Sequence, residues 1–174
     1  MQKKCWKLGS IILLAGVLFI AYLYADHDIG IPAAGLVRDI RSSQKIQEDW
    51  TVDGTVSGAM AAYISYPQDQ SDHTFSVYVD RPGISFGYFF RGGGSLGTVQ
   101  RKIAVFTVEG YPEQAYISMN QSQVTRAEID DGTSRQVLEI DPHRPFALVL
   151  PAGSGIVTFY DAAGTPVETF REPL

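Results

Sequence analysis

The sequence predicts an all-β fold, an antiparallel β-sandwich or a barrel-like relative of it, that follows one N-terminal transmembrane helix. Three observations support this prediction. Short runs of β-branched and aromatic residues recur from about residue 51 to the C-terminus, and turn residues separate them. No long helical pattern interrupts these runs. A single continuous apolar segment precedes them near the N-terminus.

The apolar segment spans residues 8–25 and contains no charged side chain. As a helix it would extend about 27 Å, which is close to the ~30 Å hydrocarbon thickness of a bilayer. Three lysines precede the segment, whereas Asp26 and Asp28 follow it. Because basic residues remain on the cytoplasmic side of a membrane, we expect a cytoplasmic tip at 1–7, a signal anchor at 8–25 and an extracytoplasmic C-terminal domain.

A cleaved signal peptide is the alternative interpretation of this segment. Such a peptide has small residues three positions and one position before the cut. Cleavage after Ala25 would leave Leu23 at the first of these positions, and cleavage after Ala21 would leave Phe19 there. Both are poor cleavage sites, so the uncleaved anchor is preferred. A buried helix of a soluble protein is the third interpretation of the segment. The protein would be secreted if the leader were removed.

The net charge and the cysteine content of the chain argue against several classes of binding partner. The chain has 14 basic residues, three of them before residue 8, and 19 acidic residues, all after residue 25. The part beyond residue 25 therefore carries a net charge of −8. Without a basic stripe it is a poor candidate for binding nucleic acid or anionic lipid. It also has no cysteine, and an exported domain without disulfides favours a bacterial envelope protein.

Residues 26–50 are predicted to link the anchor to a β domain at 51–174. The first ten linker positions are rich in Gly and Pro and indicate a short tether. The spacing of apolar residues between Leu36 and Gln47 predicts one short amphipathic helix. A flexible linker throughout is the alternative, because Ser42-Ser43 interrupts this spacing.

The strands predicted in the β domain are bounded by Gly, Pro, Asn and Asp. They cover 59–66, 73–80, 84–91, 99–109, 114–120, 123–130, 135–141, 146–151, 155–160 and 166–170. Asp-Gly signals predict hairpin turns near Gly132 and Gly164. The same turn chemistry accounts for the carboxylates of Asp130, Asp131 and Asp161, so no metal site is predicted from them.

One motif raises the question of catalysis. Residues 93–97, Gly-Gly-Ser-Leu-Gly, match the G-x-S-x-G nucleophile elbow of serine hydrolases. A helix follows the serine in that elbow, whereas residues 99–109 are rich in β-branched residues. The chain order of a catalytic triad is met formally by Ser95, Asp130 or Asp141, and His143. A cell-surface serine hydrolase that uses Ser95 is therefore kept as the alternative function.

The glycine run before Ser95 has three interpretations. Glycine adopts backbone conformations that other residues avoid, which favours a flexible loop between strands. Consecutive backbone N–H groups beside an arginine could instead hold a phosphate or carboxylate. A ligand could also pack against the aromatic side chain that faces away from its neighbours. We therefore define a candidate ligand site at Phe89, Arg91, Gly92, Gly93 and Gly94.

The sequence contains no further set of residues that indicates catalysis, a metal or a cofactor. The β domain has no thiol, and its histidines are too scattered for a zinc site. The layout resembles that of small single-span envelope proteins of bacteria. The predicted function is thus a non-catalytic binding or accessory module that contacts the membrane through residues 8–25. An envelope protein or a polysaccharide is the expected partner, and nucleic acid is not.

Overall fold

The computed structural model describes residues 2–25, 29–81, 86–97 and 102–174. A first helix, α1, covers Gln2–Ala25. Within these described ranges, no helix has both the length and the apolar character needed to cross a membrane. The transmembrane helix predicted at residues 8–25 is therefore not supported by the structure.

The remainder of the described chain is mostly β-strand, which confirms the predicted all-β class. A 3-10 turn at Ala33–Gly35 leads into a short helix, α2, at Leu36–Ser43. The strands are β1 (Thr51–Val56), β2 (Met60–Tyr66), β3 (Thr74–Asp80), β4 (Tyr88–Gly94), β5 (Ile103–Thr107), β6 (Glu113–Ser118), β7 (Val124–Asp130), β8 (Arg135–Glu139), β9 (Phe146–Pro151), β10 (Ile156–Asp161), β11 (Pro166–Val167) and β12 (Thr169–Pro173).

These strands form three four-stranded sheets. We call them the helix-side sheet (order β1-β2-β3-β4), the central sheet (β12-β5-β6-β9) and the outer sheet (β11-β10-β7-β8). Neighbouring strands are antiparallel except for β12 and β5, which are parallel. None of the sheets formed by the described strands closes into a barrel. Of the two predicted variants, sandwich and barrel, the antiparallel sandwich is therefore the one observed, and it has a third sheet.

Two hydrophobic cores separate the three layers. Between the helix-side and central sheets, Phe75 and Phe106 stack with ring centroids 4.4 Å apart. Between the central and outer sheets, Phe159 contacts the rings of Tyr116 and Phe146. The central sheet is therefore covered on both faces along β5, β6 and β9, whereas its edge strand β12 is exposed from Thr169 to Glu172.

Helix α2 covers the outer face of the helix-side sheet. Leu36 and Ile40 are one helical turn apart, so both side chains lie on the same face, where they are fully buried against Tyr63 and Tyr78. The Tyr78 hydroxyl also donates a hydrogen bond to Asp39 Oδ2 at 2.8 Å. The short helix predicted between Leu36 and Gln47 is confirmed, and it packs as part of the β domain.

The predicted hairpin turns are also confirmed. Asp130 pairs with Arg135 where β7 turns into β8. The Asp131 carboxylate accepts hydrogen bonds from the backbone and hydroxyl groups of Thr133 and Ser134 at 2.7 to 2.9 Å. These bonds hold the pKa of Asp131 well below its usual range. The carboxylate is therefore engaged in forming the turn.

Candidate functional site

The glycine run predicted as a loop lies in strand β4. Gly92, Gly93 and Gly94 pair with β3 in antiparallel register. The loop interpretation is therefore wrong. The register shifts between Val77 and Tyr78, which leaves Arg91 without a pairing partner on β3 and makes it the extra residue of a β-bulge. The Arg91 side chain is exposed.

Glycine is needed in this strand because both of its faces are packed closely. A Cβ atom on Gly93 would lie 2.6 Å from the carbonyl oxygen of Phe75 and 2.7 Å from Nε2 of Gln44. A Cβ atom on Gly92 would lie 2.7 Å from a methyl group of Leu174. The run therefore lets the strand approach its neighbours. Gly93 itself remains exposed, and a Cβ atom on Gly94 would meet no atom within 4 Å, so the close approach is confined to one side of Gly92 and of Gly93.

The space beside Phe89 is occupied in the same way. The Arg81 guanidinium lies over the Phe89 ring, 4.0 Å from its centroid, in a cation–π contact. On another side, the backbone at Gly30 approaches so closely that a Cβ atom there would be 2.9 Å from the ring. Of the candidate ligand-site residues, Arg91 is thus the one with a freely exposed functional group.

Ser95 contacts a histidine, but the histidine is His73. Ser95 Oγ lies 3.3 Å from His73 Nε2, and the backbone N–H of Leu96 donates to the same nitrogen at 2.9 Å. A neutral imidazole nitrogen accepts one hydrogen bond, so the ring proton is on Nδ1 and the Nε2 lone pair is already used. In this arrangement Nε2 is not available to take the Ser95 proton, as the base of a serine hydrolase must.

The triad suggested by chain order is not assembled. His143 lies in an exposed turn, where its backbone N–H donates to Asp141 Oδ1 at 2.9 Å. Asp130 forms an ion pair with Arg135 at 3.4 Å. Each of these groups is thus engaged in its own turn, and the described residues show no contact between any of them and Ser95.

His73 is expected to make the fold sensitive to mild acid. Burial lowers the pKa of His73, and the negative charge of Asp72, which raises it, offsets only part of this effect. Because the folded-state pKa is below the unfolded value of about 6.5, the unfolded chain binds the proton more readily, and stability falls as the pH drops below that value. In urea unfolding, His73→Gln should lose less stability than the wild type between about pH 7 and about pH 5, because the variant has no buried imidazole to protonate.

The matched control for this experiment is His143→Gln, which removes an exposed histidine. Comparison of the two variants separates the loss of a buried imidazole from the loss of an exposed one. An acid response that is unchanged by His73→Gln would contradict the assignment to His73.

A cavity of about 400 Å³ lies between the central and outer sheets. Its floor is formed by Val105, Gln114 and Tyr116, all more than nine-tenths buried. Thr169 and Arg171 of β12 line it as well, and both are exposed at its mouth. This volume falls within the range of small-molecule sites, roughly 300–1,000 Å³.

The register of the central sheet explains how these residues meet. Arg171 pairs with Val105, which pairs with Tyr116, so the three side chains form one row across β12, β5 and β6. In the next row, Thr107 pairs with Gln114. From the outer sheet, Ile156 and Val157 of β10 line the cavity.

Local sequence patterns do not reveal this site, because its residues come from β5 and β6 and from the much later strands β10 and β12. One local signal was present. In β6, Ala115 and Ile117 share one face, so alternation places Gln114 and Tyr116 together on the opposite face. Gln114 is thus a polar side chain beside an aromatic one. A polar residue on a buried face indicates a functional or hydrogen-bonded position.

A second, more open cleft of about 200 Å³ lies beside Asp53, Asp141 and Arg144. Arg144 forms an ion pair with Asp53 at 3.2 Å, so the charge of the arginine is already matched by the protein. The cleft therefore presents little unmatched chemistry to a ligand.

Comparison of the chain with models of protein families, with curated proteins and with solved structures finds no match.

Proposed function

We propose that this protein is a non-catalytic binding module of the cell envelope, held at a membrane by α1, with its three-sheet domain on the extracytoplasmic side. The observation that carries the proposal is the exposed apolar surface of α1. Large apolar side chains along this helix are between 48% and 72% exposed: Ile11, Ile12, Leu13, Leu14, Val17, Leu18, Phe19, Ile20 and Tyr22.

These side chains surround the helix. Residues 11–14 and 17–20 are consecutive, and successive residues on a helix are about 100° apart, so together they cover its whole circumference. A helix that is apolar on all sides is normally buried in a protein core or in lipid. Burial in lipid would remove this surface from water, and attachment of the domain through it does not require α1 to cross the bilayer.

The chain is fixed to the β domain soon after α1. The backbone N–H of Gly30 donates to the carbonyl of Phe86 at 2.6 Å, and that of Ile31 donates to the carbonyl of Tyr88 at 2.9 Å. Residues 26–28 are thus the chain between the end of α1 and this attachment. Under the proposal, the edge of the domain at β4 would lie close to the membrane.

Membrane attachment should depend on the apolar surface of α1. The full chain, purified in detergent and mixed with phosphatidylcholine vesicles, should float with the vesicles on a density gradient after detergent removal. Leu14→Lys/Leu18→Lys should abolish flotation, because each substitution replaces an apolar side chain of the lipid-facing surface with a charged one, and charged side chains are costly to bury in lipid. Both leucines are 61% exposed, so the change should leave the β domain folded.

The matched control is Val56→Lys/Val137→Lys, which adds the same charge at exposed positions of the β domain. It should float like the wild type. A wild-type chain that stays at the bottom of the gradient, or an α1 variant that floats equally well, would refute the anchor.

The alternative function is a serine hydrolase, and the Ser95–His73 contact is the observation in its favour. The engaged lone pair of His73 Nε2 argues against it. We expect no labelling of the full chain by a fluorophosphonate probe. Labelling that disappears in Ser95→Ala would support the hydrolase and overturn the non-catalytic proposal.

A further inference from the structure

We propose that the cavity between the central and outer sheets binds a small organic monocarboxylate that also carries hydroxyl groups, with Arg171 pairing the carboxylate and Tyr116 and Gln114 contacting the hydroxyls. Sugar acids belong to this chemical class. The inference deepens the proposed function, because it gives the binding module a site and a ligand class, but it does not depend on membrane attachment.

Arg171 supplies the charge at this site. Among the described residues, its side chain has no hydrogen bond or ion pair, and the residues lining the cavity include no carboxylate. Among the described residues that line the cavity, Arg171 is therefore the one with a charged side chain. Its guanidinium is available to pair with a negatively charged group of a ligand. Its planar fork fits a carboxylate through two parallel hydrogen bonds.

The floor of the cavity requires hydrogen-bonding groups on the ligand. Gln114 Nε2 donates to the Tyr116 hydroxyl at 2.5 Å, so the oxygen accepts from the protein and its own proton is left to be donated. Burial raises the pKa of Tyr116, and the positive charge of Arg171 lowers it by less. The hydroxyl therefore keeps its proton at neutral pH. An apolar ligand would cover these buried polar groups without a partner, which disfavours its binding.

The charge balance favours a monoanion. One arginine matches one carboxylate, whereas a phosphate dianion would bring a second negative charge without a second cation among the lining residues. The chain as a whole also carries a net charge of −5, which opposes highly charged anions at low ionic strength.

Isothermal titration of the full chain in detergent tests the proposal with four probes: glucuronate, glucose, acetate and inorganic phosphate. Glucuronate should bind at least about tenfold more tightly than glucose, which lacks the carboxylate, and than acetate, which lacks the hydroxyls. Phosphate should bind more weakly than glucuronate. Phosphate that binds as tightly as glucuronate would overturn the assigned class.

Variants locate the binding. Arg171→Gln should weaken glucuronate binding by about tenfold or more, Arg171→Lys by less, and Tyr116→Phe by severalfold. Arg38→Gln is the matched control, because it removes an exposed arginine of α2 with the same change in net charge, and it should bind as the wild type does. Thermal unfolding of each variant checks that the fold is retained.

Glucuronate binding that is unaffected by Arg171→Gln, or that is absent from the wild type, would refute this site. If the chain still floats normally with vesicles, such a result would refute the ligand site but not the proposed membrane attachment. A wild-type chain that binds glucuronate but does not float with vesicles would refute the membrane attachment and would still support this ligand site.

Discussion

Phe106→Ala is expected to lower the free energy of unfolding by about 3–5 kcal/mol, as measured by urea denaturation. Phe106 is 1% exposed and stacks on Phe75, with ring centroids 4.4 Å apart. Its replacement would leave a cavity between the helix-side and central sheets, which β-sheet backbones cannot easily close. The lost contacts and the residual cavity both add to the cost.

Phe90→Ala is the matched control for this prediction. Phe90 is 52% exposed and meets the Tyr78 ring edge-on at 5.5 Å, so its removal should cost less than about 1 kcal/mol. Because the central sheet contributes to both cores, the wild type and both variants should unfold in one transition. A loss below about 1 kcal/mol for Phe106→Ala would show that this core is not tightly packed.

Much of the β architecture could be predicted from local patterns. Alternation and turn residues located the strands that became β2, β3 and β5 to β10, and the Asp-Gly signal located the turn from β7 to β8. These features depend on residues that are close in the chain, so a single sequence carries them. The short helix α2 was identified for the same reason, from the spacing of Leu36 and Ile40.

Strands with Gly or Asp in their middle could not be identified in this way. The glycine run of β4 matches a loop pattern, because glycine is required there by the close approach of Phe75 in β3 and of Leu174, which follows β12. Strand β1 contains Asp53-Gly54, a turn signal, yet a Cβ atom on Gly54 would lie 2.1 Å from the carbonyl of Ala62. In both strands, tertiary contact overrides local preference.

The candidate site shows the same limit more clearly. Chain order suggested His143 as the partner of Ser95, but the fold places His73 there, because β3 and β4 are adjacent in the helix-side sheet. The cavity depends on the parallel pairing of β12 with β5, which joins the C-terminus to the middle of the chain. No local pattern encodes that pairing, so Arg171 had no visible relation to Tyr116 in the sequence.

Gly155→Ala is expected to lower the free energy of unfolding by at least about 2 kcal/mol. Gly155 has a φ of +112°, a conformation that residues with side chains rarely adopt. A Cβ atom there would lie 2.1 Å from the carbonyl oxygen of Asp130, a backbone atom held in place by the pairing of β7 with β8 and β10. The turn must therefore shift, and the shift would be transmitted to the edge of the cavity that Gly155 lines.

Gly153→Ala is the control within the same turn. A Cβ atom on Gly153 would meet no atom within 4 Å, and its φ lies outside the left-handed region, so this change should be neutral or slightly stabilising, by up to about 1 kcal/mol. The contrast between two glycines two positions apart separates strain at Gly155 from a general effect of adding a methyl group to the turn. Equal stabilities of the two variants in urea denaturation would show that the close approach of Gly155 to Asp130 is not a feature of the folded protein.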